Sequence, residues 1–132
     1  MHDDLLIPAN EVVAVSQALL SEQHGNLSQS QRDFLCMIRD AAEHFVVYVY
    51  QMSDIIVSMK AGGELVNVSH ELRTPLTSIR GFSQLCLSGV EGALNDWQRE
   101  QFEQINLKGT FLSERVSDIF RGTKGYGIYP LD

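Results

Sequence analysis

A chain of 132 residues with 44% apolar content has room for one compact core, and not for a catalytic domain plus a sensor domain. Its net charge of -7 and the lack of a Lys/Arg stripe along any helix face argue against a nucleic-acid binder. The longest apolar run, Phe45 to Tyr50, is far below the roughly 18 residues that span a bilayer, and Met1-His2-Asp3-Asp4 lacks the basic start of a signal peptide. A soluble protein without a membrane anchor is expected. Cys36 and Cys86 each sit in an apolar helical pattern and read as free core thiols, which favours a reducing cytoplasm.

Taken in order, the apolar residues Leu5, Ala9, Val12, Val13, Val15, Leu19 and Leu20 recur at three- and four-residue steps and predict a first amphipathic helix. A polar connection around Gly25 follows, and Ser28 with Gln31 has the form of a capping box that starts a second helix. The stripe Leu27, Phe34, Leu35, Ile38, Ala42, Phe45, Val49, Met52, Ile56 and Met59 keeps a near-heptad spacing, as helices of a bundle do. Ala61-Gly62-Gly63 ends or bends it. A third helix starts near Glu64 and carries Leu65, Val68, Leu72, Leu76, Ile79, Phe82 and Cys86 on one side. Pro75 interrupts its ladder at a cost of about 3 kcal/mol and predicts a kink one turn past His70. After Gly89 to Gly92, Asn95 and Gln98 again take capping positions, and a fourth helix runs through Trp97, Phe102, Ile105, Leu112, Val116 and Ile119 to about Phe120. The glycine-rich tail has no periodicity and is assigned no element.

Sliding the chain by 67 positions pairs Pro8 with Pro75, Ser16 with Ser83, Gln17 with Gln84, Gly25 with Gly92, Gln31 with Gln98 and Arg32 with Arg99. In all, 11 of the 48 aligned positions (8–55 against 75–122) are identical, where background composition gives roughly three. The matches cover the proline, both turns and both capping boxes, which reads as a tandem duplication of one helical hairpin. Such a hairpin is too small to bury its own apolar faces. The expected fold is therefore all-α, an antiparallel four-helix bundle about 40 Å long made from two tandem hairpins. Residues 1–60 would form the first and 61–132 the second, with the C-terminal tail.

One motif stands apart. His70-Glu71-Leu72-Arg73-Thr74-Pro75-Leu76 resembles the H-box of bacterial sensor histidine kinases, in their dimerisation and histidine-phosphotransfer domain. The resemblance extends over about 64–122, and residues 26–60 are similar to the second helix of that domain. In the family two hairpins from two chains form the bundle, so this chain resembles a fused pseudo-dimer, and a monomer is expected in place of a homodimer. The resemblance implies His70 as phospho-acceptor and Glu71 as base and partner contact. It implies Thr74 as a residue that orients a water for dephosphorylating a partner's aspartate, and Arg73 as a charge near the phosphoryl group. Pro75 is structural. The chemistry suits the residue type, because an exposed imidazole is largely neutral near pH 7 and presents a ring nitrogen as nucleophile.

The chain departs from the family in two places. Asp3 stands where His70 stands and Asp4 where Glu71 does, so only the second hairpin carries an acceptor. Too few residues follow Phe120 for an ATP-binding kinase domain, and no Gly-rich nucleotide motif occurs, so autophosphorylation from ATP by this chain alone is not expected. Whether it counts as an enzyme is left open by these residues. The partners implied are a response-regulator receiver domain and a separate histidine kinase ATP-binding domain, which would supply Mg²⁺ and ATP. No cofactor or metal site is expected in the chain itself, since His2, His24 and His44 are scattered and form no ligand set. Trp97 reads as a packing anchor.

The favoured function is a stand-alone phosphotransfer protein of a phosphorelay, exchanging phosphate between His70 and a receiver aspartate. One alternative is a non-catalytic binding module that inhibits a histidine kinase or response regulator. Another is a fragment of a longer sensor kinase.

Overall fold

A computed structural model describes residues 2–58 and 62–121, and the side chains of these outside 53–66. Four helices make up the described residues: α1 Asp3–Leu20, α2 Gln29–Ser58, α3 Gly62–Leu87 and α4 Asp96–Arg121. With about 1.5 Å per residue, the 26 residues of α3 and of α4 give rods of about 39 Å, close to the expected length. The third helix begins two residues before the expected Glu64, at Gly62. Ala61 and the glycines of the tail lie outside the described residues.

α1 packs on α2 and α4, and α3 packs on the same two helices, so α1 and α3 occupy one diagonal of a square and α2 and α4 the other. The pairing is antiparallel where side chains record it. Asp4 meets Arg115 and Glu11 meets Lys108 along α1 and α4, while Arg73 meets Ser117 and Ser83 meets Asn106 along α3 and α4. In each pairing one number rises as the other falls.

The core follows the apolar stripes. Leu5, Val12, Leu19, Leu35, Ile38 and Phe45 are buried from the first hairpin, and Leu72, Ile79, Cys86, Phe102, Ile105 and Leu112 from the second. These are the same six positions moved by 67. Burying side chains of this size stabilises a fold by about 1.5–3 kcal/mol each, before the entropy of ordering the chain is counted. Pro8 and Pro75 both lie inside their helices, removing the N–H that would have bonded the carbonyls of Asp4 and Glu71 respectively.

Each turn is fastened to the other. Ser28 and Gln31 form the expected capping box, with Ser28 N donating to Gln31 Oε1 at 2.7 Å and Gln31 N to Ser28 Oγ at 3.1 Å. Asn95 and Gln98 repeat it at 2.9 and 2.7 Å. The same four side chains also reach across the bundle end. Ser28 Oγ donates to the carbonyl of Glu91 at 2.7 Å and Asn95 Nδ2 to that of His24 at 2.7 Å, and Gln98 Nε2 donates to the carbonyl of Asn26 at 3.0 Å. Gln31 Nε2 makes the matching, longer reach to Ala93 at 3.5 Å. Every bond has its counterpart 67 positions away, so two buried glutamines satisfy their amides symmetrically.

Candidate functional site

The local pattern of α3 decides what is presented. Val68, Ser69, Leu72, Pro75, Leu76 and Ile79 are buried, while His70, Glu71, Arg73, Thr74 and Thr77 are exposed. The inward stripe at three- and four-residue spacing thus fixes the rotation of the helix and leaves the His70 ring in solvent. Thr74 Oγ1 donates to the carbonyl of His70 at 3.1 Å, which keeps the hydroxyl against the helix one turn beyond the ring and leaves its oxygen free to accept. Arg73 is engaged elsewhere. Its guanidinium donates to Ser69 Oγ at 2.5 Å and to Ser117 Oγ of α4 at 3.5 Å.

Glu71 points to the opposite side. It lines a cavity of about 400 Å³ between α2 and α3 together with Thr74, Pro75 and Phe82 of α3 and His44 and Tyr48 of α2. His44 is exposed and stacks near Tyr48 at a centroid distance of 6.2 Å. A more polar cavity of about 440 Å³ lies on the other flank, between α3 and α4, with Arg80, Ser117 and Arg121 among its walls. His70 lines neither recess; with Arg73 and Thr77 it forms an exposed ridge along α3. His44, Tyr48 and Ser117 are the site neighbours that sequence reasoning missed. The 67-residue register holds the signal for Tyr48, since it matches Arg115 as Glu71 matches Asp4, and Arg115 pairs with Asp4.

The remaining candidates take structural places. Trp97 is half-buried and packs its ring 4.3 Å from that of His24, as expected of an anchor at the start of α4. Both cysteines are free. Cys86 is buried, and that burial, with a smaller contribution from the charge of Glu91, pushes its thiol up to about 12. Cys36 is only half-buried, because it lies beside the α2 stripe and not on it. Among the described residues no group of three or more His, Cys, Asp or Glu is placed to hold a metal ion, and no helix is long and apolar enough to cross a membrane.

Comparison with known proteins converges on this segment. Residues 62–121 match the model of the His Kinase A (phospho-acceptor) domain. The chain is 40% identical over 60 residues to the histidine protein kinase DivJ of Caulobacter vibrioides, a match covering 46% of this chain and 10% of that protein. It is 45% identical over 60 residues to the circadian input-output histidine kinase CikA of Synechococcus elongatus, covering 45% and 8%. It is 39% identical over 56 residues to the cell-division control histidine kinase PdhS of Brucella canis, covering 42% and 5%. The chain thus spans about a tenth or less of the length of these relatives. No solved structure matches it. Residues 62–121 thus resemble the phospho-acceptor domain of the His Kinase A type, and these relatives are histidine kinases.

Proposed function

We propose that the chain is a histidine phosphotransfer module. His70 accepts a phosphoryl group from a separate kinase domain or a phosphorylated receiver and exchanges it with a receiver aspartate. The observation that carries this reading is the presentation of His70, exposed on a ridge of α3 within a matched phospho-acceptor segment. In the forward step the neutral ring nitrogen forms the N–P bond while the P–O bond to the donor breaks. Positioning and charge neutralisation do most of the work in such transfers. Mg²⁺, and ATP where a kinase is the donor, come from the partner. Glu71 acts as base and partner contact, and Thr74 orients a water when the partner's phospho-aspartate is hydrolysed. Arg73, tied to Ser69 and Ser117, stabilises the α3–α4 side of the ridge as well as contributing charge.

In this reading residues 1–60 are an acceptor-less first copy of the hairpin, and the bundle is a monomeric pseudo-dimer in the cytoplasm. The repeated capping boxes and their exchanged hydrogen bonds support it. The test is incubation with phosphorylated receivers and with kinase domains plus ATP, followed by a search for acid-labile phosphate on His70. Phosphohistidine that vanishes in His70→Gln supports the proposal. A regulatory effect that survives His70→Gln points instead to a non-catalytic inhibitor of a kinase or response regulator. Sedimentation at twice the chain mass contradicts the monomer.

A further inference from the structure

Away from the H-box, the two hairpins differ most on one flank. Arg80, Ser113, Glu114 and Ser117 of the second hairpin stand where the first has Val13, Val46, Val47 and Tyr50. The core positions beside them, Val12 and Ile79, Val49 and Val116, are apolar and buried in both copies. The polar exchange is therefore confined to the surface recess between α3 and α4 and is not needed to pack the bundle.

One further exchange fits it. Gly109 stands where the first hairpin has Ala42, and a Cβ on Gly109 would lie 2.9 Å from Arg80 Cγ and 3.1 Å from Ile79 Cγ2. The missing methyl lets the stem of Arg80 lie against α4, in the wall of the cavity of about 440 Å³. Arg80 Nε is buried without a hydrogen-bond partner, and among the described residues Arg80 enters no ion pair. Buried N–H groups nearly always have a partner in native proteins, so this cation is placed for a group that the chain itself does not supply.

The other lining residues narrow the choice. Ser117 Oγ accepts from Arg73 at 3.5 Å and keeps its proton to donate, and Ser113 adds a second hydroxyl. Thr110 Oγ1 has given its proton to the carbonyl of Asn106 at 3.0 Å. Asp118 is neutralised by Arg121 at 2.5 Å and by Arg115 at 3.6 Å. Glu114 is exposed and, among the described residues, has no cation on it.

We propose that the α3–α4 recess is a binding site for a sugar phosphate, free or as the ribose phosphate of a nucleotide. Guanidinium N–H groups and serine hydroxyls suit the oxygens of a phosphate. A bare oxyanion would be repelled by Glu114, whereas a sugar hydroxyl next to the phosphate would donate to it. The cavity is of the size that small ligands occupy. Arg80 lies about 15 Å along α3 from His70, and His70 is not in the lining, so the site does not depend on the phosphotransfer reading.

Isothermal titration of the full chain with ribose 5-phosphate, adenosine monophosphate, ribose and inorganic phosphate tests this. At least one of the two phosphorylated sugars should bind at least tenfold more tightly than inorganic phosphate, and ribose should not bind. The tighter of the two tells a nucleotide from a free sugar phosphate. Arg80→Met keeps the stem and loses the cation, and Gly109→Ala displaces the stem; each should weaken binding at least tenfold in protein shown to be folded by its melting curve. Glu114→Gln should weaken ribose 5-phosphate and strengthen inorganic phosphate, opposite signs that general charge attraction does not produce. Arg99→Met, at an exposed arginine near the start of α4, should change nothing. Absence of binding at millimolar concentration, equal affinity for inorganic phosphate and both phosphorylated sugars, or binding that survives both Arg80→Met and Gly109→Ala overturns the proposal.

Discussion

Asn95 Nδ2 donates to the main-chain carbonyl of His24 at 2.7 Å, so the residue that caps α4 also holds the opposite hairpin's turn. Gly25, next to His24, is held at φ +153°, and a Cβ there would lie 2.5 Å from Asn95 Nδ2 and 2.6 Å from Gln98 Nε2. A Cβ on Gly92, at φ +138°, would lie 2.9 Å from Gln31 Nε2. Gly25→Ala and Gly92→Ala should each destabilise the fold by about 1–3 kcal/mol, through backbone strain and loss of the cross-turn bonds. Urea unfolding followed by circular dichroism measures it, and a change below about 0.5 kcal/mol in both variants would contradict the role given to the turns.

His70→Gln should leave the unfolding free energy within about 0.5 kcal/mol of the wild type, because the ring is exposed and anchors nothing. Phosphate uptake should fall at least a hundredfold in the same sample. Urea titration and radiolabel transfer separate the two quantities.

Ile79→Ala removes a fully buried side chain from the centre of α3 and should cost about 2–5 kcal/mol. Ile7→Ala, at a position 57% exposed, should cost less than about 0.5 kcal/mol. Equal losses at the two sites would show that the α1 and α3 faces have been assigned wrongly.

Two groups give pH dependence of opposite sign. The Cys86 thiol is raised from 9.0 to about 12, so above pH 9.0 the unfolded chain gives up a proton that the folded chain keeps. Its contribution is complete below pH 9.0 and is lost as pH climbs to about 12. Alkylation in the native state at pH 8 should accordingly reach Cys36 well before Cys86. The hydrogen bond and charge of Arg115 hold Asp4 below its ordinary value of 3.8, against the opposing effect of burial. That contribution is present above pH 3.8 and lost as pH falls through the lower folded value. Thermal melts across both windows should decline at each end, and Asp4→Asn should flatten the acid limb.

Much of this architecture is legible in the residue pattern, for physical reasons that can be traced. The core stripe of α3, from Val68 through Leu72, Leu76 and Ile79, follows from helical period alone, and the caps at Ser28 and Asn95 follow from hydrogen-bonding chemistry that is local in sequence. Pairs that join different helices are another matter. Arg73 on Ser117, Arg115 on Asp4 and Tyr48 beside Glu71 depend on which helix stands next to which, and helical periodicity is silent about neighbours. The helix starts show a smaller gap. Asp3 and Asp4 in the first turn of α1 favour the positive end of its dipole and extend it two residues beyond the apolar pattern.

Both hairpins of the bundle belong to one polypeptide, and this bears on how the His70 face behaves at low copy number. Where two separate chains must meet, the fraction assembled falls with dilution. A tethered neighbour is present at an effective concentration on the order of millimolar, whatever the abundance of the protein. The ridge that carries His70 is thus assembled whenever the chain is folded, and under the proposed phosphotransfer function the number of acceptor sites would scale in simple proportion to the number of molecules made.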